Sequence, residues 1–253
     1  MELTRTVRVT LVPAPGGLPR VEPWSAHAGW QAAMEFEVRV AGTPDATTGY
    51  LVGIDRIDAC VRRALEGALP QALADGASPA TALVTLMPRL AVELGLPVRS
   101  VAWRPHPFLQ VTVEESMLQQ ALITHRFDFA ASHRLHCPSL DDASNRRIFG
   151  KCNNPAGHGH NYRLEVEVRV PMEGPEALRG QEIARIVREH AVDRLDHKHL
   201  NADVAEFRDR NPSVEHIAQV CFQWLQQPLR SSGAELVRVR LWETEKTSAI
   251  YPG

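Results

Sequence analysis

Two seven-residue stretches, MEFEVRV at 34–40 and LEVEVRV at 164–170, differ at only two positions. In both, apolar and charged residues alternate. Side chains point to opposite faces at each step along a strand, so this alternation marks a strand covered on one face. Leu164, Val166, Val168 and Val170 face one way, and Arg163, Glu165, Glu167 and Arg169 the other. In the first stretch Phe36, Val38 and Val40 stand against Glu35, Glu37 and Arg39. A one-face strand occurring twice requires a second covering layer in each half of the chain.

The surroundings repeat as well. The second half reads as a strand at 125–133 (HRFDFAASH), the strand at 160–170, helices over 181–195 and 211–225, and two strands in AELVRVRLWETEKTSAIY. Ser213 is placed to cap the second helix, followed by Val214, Ile217, Ala218, Cys221 and Leu225 at helical spacing. The first half reads as TVRVTLV, the strand at 34–40, helices over 52–69 and 78–94, and two strands in VRSVAWRPHPFLQVTVEE. Pro88 is expected to kink or shorten its helix. Trp103 stands where Trp242 stands. Two ordinary α+β units can share an element order by chance, but the shared EVRV and tryptophan landmarks favour an internal duplication. The boundary falls near 115–122, where EESMLQQAL has no strand pattern, giving domains of 1–118 and 119–253.

Composition narrows the function classes. The 253 residues carry a formal net charge of −2, which gives no electrostatic argument for a nucleic-acid or membrane partner. No stretch reaches the ~20 apolar residues of a membrane span, and the N-terminus lacks the apolar run of a signal peptide. The expectation is a cytoplasmic protein with Cys60, Cys137, Cys152 and Cys221 as free thiols.

The chemistry is concentrated in FGKCNNPAGHGHNY, residues 149–162. His158 and His160, two apart, project from one face of a strand and can chelate one ion. His133, at the end of a strand, is the candidate third ligand; three histidines without a fourth protein ligand make an open zinc site of the catalytic kind. The same histidines could be ordinary hydrogen-bonded residues. Cys152 is either a small buried hydrophobe or an activated thiolate. Asp196 and His197, in LDHKHL, suit a reactive pair or a plain helix C-terminus.

Taken together, FDFAASHRL, FGKCNNPAGHGHNY, LDHKHLN, PSVEHIA and WETEKT, in this order over about 121–251, resemble the 6-pyruvoyl-tetrahydropterin synthase family, which includes the 6-carboxy-tetrahydropterin synthases. The resemblance implies an α+β protein of two tandem tunnelling-fold domains. Each would be a four-stranded antiparallel sheet backed by two helices, and these sheets close into oligomeric β-barrels. It implies a zinc-dependent lyase converting 7,8-dihydroneopterin triphosphate to 6-pyruvoyl-tetrahydropterin with loss of triphosphate. The alternatives are 6-carboxy-tetrahydropterin formation on the queuosine route, or pterin binding without turnover.

Residue by residue, His133, His158 and His160 match the zinc ligands and Cys152 the catalytic cysteine. Asp196 and His197 match the pair that works with it, which in the family can come from a neighbouring subunit. Glu243 matches the pterin anchor and Glu215 a second acidic residue of the pterin pocket. The six-residue step from Cys152 to His158 looks like the pyruvoyl type. A folate-precursor group uses a glutamate in place of the cysteine, and 143–157 has none. His199 stands where the family often has asparagine. The first half keeps only His27 and has Arg104 where Glu243 would be, so it is expected to lack the site. By the same resemblance, a homo-oligomer is expected, with a trimer of two-domain chains replacing a hexamer.

Overall fold

The computed structural model describes residues 1–14, 17–24, 32–173 and 179–253. His27 lies outside them. The chain divides into two compact units, Met1–Ile123 and Thr124–Gly253.

In the first unit, β1 (Glu2–Val12), β2 (Arg20–Pro23), β3 (Ala32–Ala41), β4 (Val98–His106) and β5 (Leu109–Glu114) form an antiparallel sheet in the order β5-β4-β3-β1-β2. Helices α1 (Ile54–Ala74) and α2 (Pro79–Leu94) pack on one face. Ser78 caps α2 by accepting from the Thr81 N–H at 3.1 Å, and Gly95 ends it in the left-handed conformation at φ 67°. Pro88 does not shorten α2. Leu83, Leu86, Met87 and Leu90 are buried around it, and burying each such side chain contributes about 1.5–3 kcal/mol, enough together to outweigh the ~3 kcal/mol cost of an interior proline. Likewise α1 continues past Pro70 to Ala74.

The second unit repeats this order. β6 (Gln120–His133), β7 (His158–Pro171), β9 (Glu235–Thr244) and β10 (Thr247–Tyr251) lie in the order β10-β9-β7-β6. Between β6 and β7 comes a short helix, α3 (Asp142–Phe149), and a 3-10 turn, Gly150–Asn153. The helical layer begins with α4 (Gly180–Val187), passes through a π-helical turn (Arg188–Val192) and ends in α5 (Asp193–Leu195). After β8 (Lys198–His199), which pairs parallel to β6, and α6 (Leu200–Asp203), it is completed by α7 (Val214–Ser231). Ser213 caps α7 through the His216 N–H, as its position predicts.

Leu164, Val166 and Val168 are fully buried on the helix-covered face. On the other face the charged residues make cross-strand pairs, Arg163–Asp128 and Arg238–Glu167.

β6 begins at Gln120 rather than near 125. Ala121, Ile123, His125, Phe127, Phe129, Ala131 and His133 are buried on one parity, with Thr124 the one buried residue of the other, and the polar His125 interrupts the apolar pattern that would announce the strand.

The tryptophan landmark requires a second correction. A β-bulge falls after Arg39 opposite β4, and the matching bulge falls after Glu167 opposite β9. Aligned on these bulges, Trp103 corresponds to Leu241 and Arg104 to Trp242. Trp103 lies in the core, 5.5 Å from Phe36 and stacked on it. Trp242 stands across from Arg163 on the other face, with the Arg240 guanidinium 4.4 Å from its ring centre. A one-residue slip moves a strand side chain to the opposite face. Arg104 therefore does not occupy the position of Glu243; it bonds Glu35 and Gln110 on the charged face.

Candidate active site

The apolar parity of three strands turns polar at one end of the second unit's core. On β6 it ends in His133, on β7 it begins with His158, His160 and Tyr162, and on β9 it ends in Glu243. One nitrogen from each of the three histidines lies within 4.8 Å of the others.

His133 is fully buried. Its Nδ1 lies 2.7 Å from the carbonyl oxygen of Pro212, just before α7. A carbonyl can only accept, so Nδ1 carries the proton and Nε2 presents a lone pair. That Nε2 is 3.2 Å from Nε2 of His158. Tetrahedral zinc with Zn–N bonds near 2.05 Å sets its ligand nitrogens about 3.3 Å apart. His160 Nε2 is buried with no hydrogen-bond partner, a costly state for a polar atom that a metal would relieve. The donor set therefore fits a zinc ion. Burial pushes the His133 imidazole down to about 4 and also lowers that of His160, so both favour the neutral form that metals bind.

The GHGH spacing has a steric reason. Gly157 has φ +73°, and a Cβ there would come within 3.0 Å of both the His133 carbonyl oxygen and His199 Nε2. Glu243 stands beside the cluster, its Oε1 3.5 Å from His133 Nε2 and 3.8 Å from His160 Nε2.

Cys152 sits in the 3-10 turn after α3. Its carbonyl accepts from the Leu135 N–H at 2.8 Å, which ties the turn to the chain leaving β6. Buried Asn145 holds the same loop. Its amide donates to the carbonyls of Cys137, Leu140 and Asp141 and accepts from the Cys137 N–H. Burial, and then the charge of Glu243, pushes the Cys152 thiol up. All four cysteines are unpaired.

Asp196 accepts from the Ala130 N–H at 2.9 Å, and this bond most of all holds its carboxyl below the usual range. Its other oxygen meets His197 Nδ1 at 2.9 Å. His197 has φ 56°, and its backbone N–H donates to the Ala130 carbonyl. It lines a cavity of about 1170 Å³ together with His160, Tyr162, Trp242 and Glu243. Cys152 does not line that cavity, and no hydrogen bond joins it to His197 among the described residues. Glu215 is exposed in the first turn of α7, outside the cavity, its carboxyl lowered chiefly by the Ser213 hydroxyl. One chain thus gathers His133, His158, His160, Glu243 and His197 but leaves Glu215 apart.

Tyr162 and Pro212 escape the motif reading. Tyr162 is fully buried, its hydroxyl 3.4 Å from His133 Nδ1 and its ring stacked on Phe129. Its signal was its parity with His158 and His160. Pro212 contributes only a backbone oxygen and leaves none.

Residues 122–253 match the family model described as 6-pyruvoyl tetrahydropterin synthase. The 6-pyruvoyl tetrahydrobiopterin synthase of Drosophila melanogaster is 39% identical over 136 residues, covering 53% of this chain and 80% of that one. The Homo sapiens protein of the same name is 35% identical over 136 residues, covering 53% and 92%. The solved Caenorhabditis elegans 6-pyruvoyl tetrahydropterin synthase is 31% identical, with a TM-score of 0.49, covering 53% of this chain and 96% of that one.

Proposed function

The chain belongs to the 6-pyruvoyl tetrahydropterin synthase family, and from that premise we propose that it is a zinc-dependent lyase. It would convert 7,8-dihydroneopterin triphosphate to 6-pyruvoyl-tetrahydropterin with loss of triphosphate. The observation that carries this reading is the three-imidazole set beside Glu243, its nitrogens within 4.8 Å of one another and the His133–His158 pair 3.2 Å apart.

His133, His158 and His160 would hold the metal, which when bound supplies Lewis acidity to the hydroxyls of the substrate side chain. Glu243 accepts two parallel hydrogen bonds from the pterin amino group and ring N–H, fixing the ring. Cys152 takes a proton from the side-chain carbon. Burial and Glu243 keep its thiol protonated at rest, so it needs positive charge nearby to act as a base. His197, oriented by ionised Asp196, relays the proton. Because one chain does not join His197 to Cys152, the Asp196–His197 pair that works with Cys152 is assigned to a neighbouring chain.

In this reading residues 119–253 form the catalytic domain and residues 1–118 a domain without a metal site, retained for assembly. Mass spectrometry of the product tests the function. 6-Pyruvoyl-tetrahydropterin and triphosphate are expected. 6-Carboxy-tetrahydropterin with acetaldehyde would move the chain to the carboxy branch, and bound pterin without product would make it a binding protein.

A further inference from the structure

Two cavities of the second unit meet at His160. The larger contains Glu243, and the smaller, about 620 Å³, is lined by Ser132, Lys198, His199 and Asp203; Gly159, His160, Asn161 and His197 line both. Their charges differ. Asp128, Asp196, Glu243 and Glu245 line the larger cavity. Its two arginines are in ion pairs, Arg163 with Asp128 and Arg126 with Glu165. That chamber suits a ring rich in N–H donors and repels a polyanion.

The smaller cavity is less acidic, lined by one cation, Lys198, and one carboxylate, Asp203. Lys198 is exposed, and its ammonium has no hydrogen-bond or ion-pair partner among the described residues. The carboxylate of Asp203 is engaged by the His199 N–H at 2.8 Å. The backbone of Lys198 is fixed by its pairing with Ala131 of β6. His197, held at positive φ, stands in the wall common to both cavities.

We propose that the smaller cavity receives the polyphosphate tail of the substrate and that Lys198 binds it. The substrate then lies across His160, with its ring beside Glu243, its hydroxyls at the imidazoles and its tail at Lys198. This rests on the pterin reading above. It adds a residue that separates a triphosphate ester from the free neopterin.

The test uses the whole chain with inorganic tripolyphosphate and 7,8-dihydroneopterin as separate probes. Lys198→Ala is expected to weaken tripolyphosphate binding about tenfold and raise KM for the triphosphate substrate about tenfold, with kcat little changed. Lys198→Glu should weaken it further and Lys198→Arg should restore it. Binding of dihydroneopterin, which has no phosphate, should not change. Equal tripolyphosphate affinity in wild type and Lys198→Ala, or none in wild type, overturns the proposal. So does a parallel loss of dihydroneopterin binding, which would mean a structural role. If wild type ignores dihydroneopterin while tripolyphosphate binding depends on Lys198, the pterin reading fails and the anion site stands.

Discussion

The proton on His133 Nδ1 is committed to the Pro212 carbonyl 2.7 Å away, and this ties the imidazole to the start of α7. Burial lowers the His133 pKa to about 4 from its ordinary 6.5. Between those values the unfolded chain binds a proton that the folded chain refuses. The stabilising effect is full above about pH 6.5 and declines as pH falls toward 4, by about 3 kcal/mol across the window. Urea unfolding of metal-free protein at about pH 7.5 and about pH 5 checks this. The drop should shrink in His133→Gln; an equal drop in both would remove His133 as its source.

One zinc per chain is the expected stoichiometry. Metal analysis of the purified protein should find it, and the His158→Ala/His160→Ala double variant should lose it. Two zincs per chain, or full retention in the double variant, would displace the ligand assignment.

Replacing Cys152 by alanine should abolish turnover while zinc and pterin binding persist, because the thiol serves as a base. Loss of zinc in that variant would instead make Cys152 a ligand. Unimpaired activity would move the base elsewhere.

Asn145→Ala should destabilise the protein by about 2–4 kcal/mol, since it strands the Cys137 N–H and the Leu140 carbonyl, while the Cys137 and Asp141 carbonyls keep backbone donors. Zinc content should stay at the wild-type level, because no ligand is among those groups. Thermal and urea unfolding report the first effect and metal analysis the second.

The intact chain should run in solution at three times its own mass, as a trimer of two-domain chains. Deleting residues 1–118 should impair folding or activity. A fully active monomer, or a truncated second half that works as well as the whole, would show the first half to be dispensable. A dimer or tetramer would call for a different closure of the sheets.

Strand periodicity announced β3 and β7, and Ser213 announced the start of α7, because in each the local chemistry matches the tertiary environment. Helix α3 gave no such signal. Asn145 is its only buried residue, and it is held by hydrogen bonds that no apolar pattern records. The two-residue β8 was equally silent. Within the site, the histidines were readable from their spacing, and Tyr162 could have been found by continuing the same parity. The Pro212 carbonyl, the orientation of Asp196 and the free charge of Lys198 depend on which segments meet, and spacing along one strand does not carry that.

The paired bulges also show how far two copies of one sheet can slide in letters. Matching MEFEVRV to LEVEVRV sets Val38 against Val168, but the bulges set Val40 there. That discrepancy is an even step, so every side chain keeps its face and the hydrophobic pattern hides it. Matching the tryptophans is an odd step, and it turns a core residue outward. A chimera that grafts strands of the second unit into the first should therefore be spliced at the bulges. A graft spliced at the tryptophans would put Arg240 at the core position of Val101 and turn Leu241 to the opposite face of the sheet, at the position of Ala102.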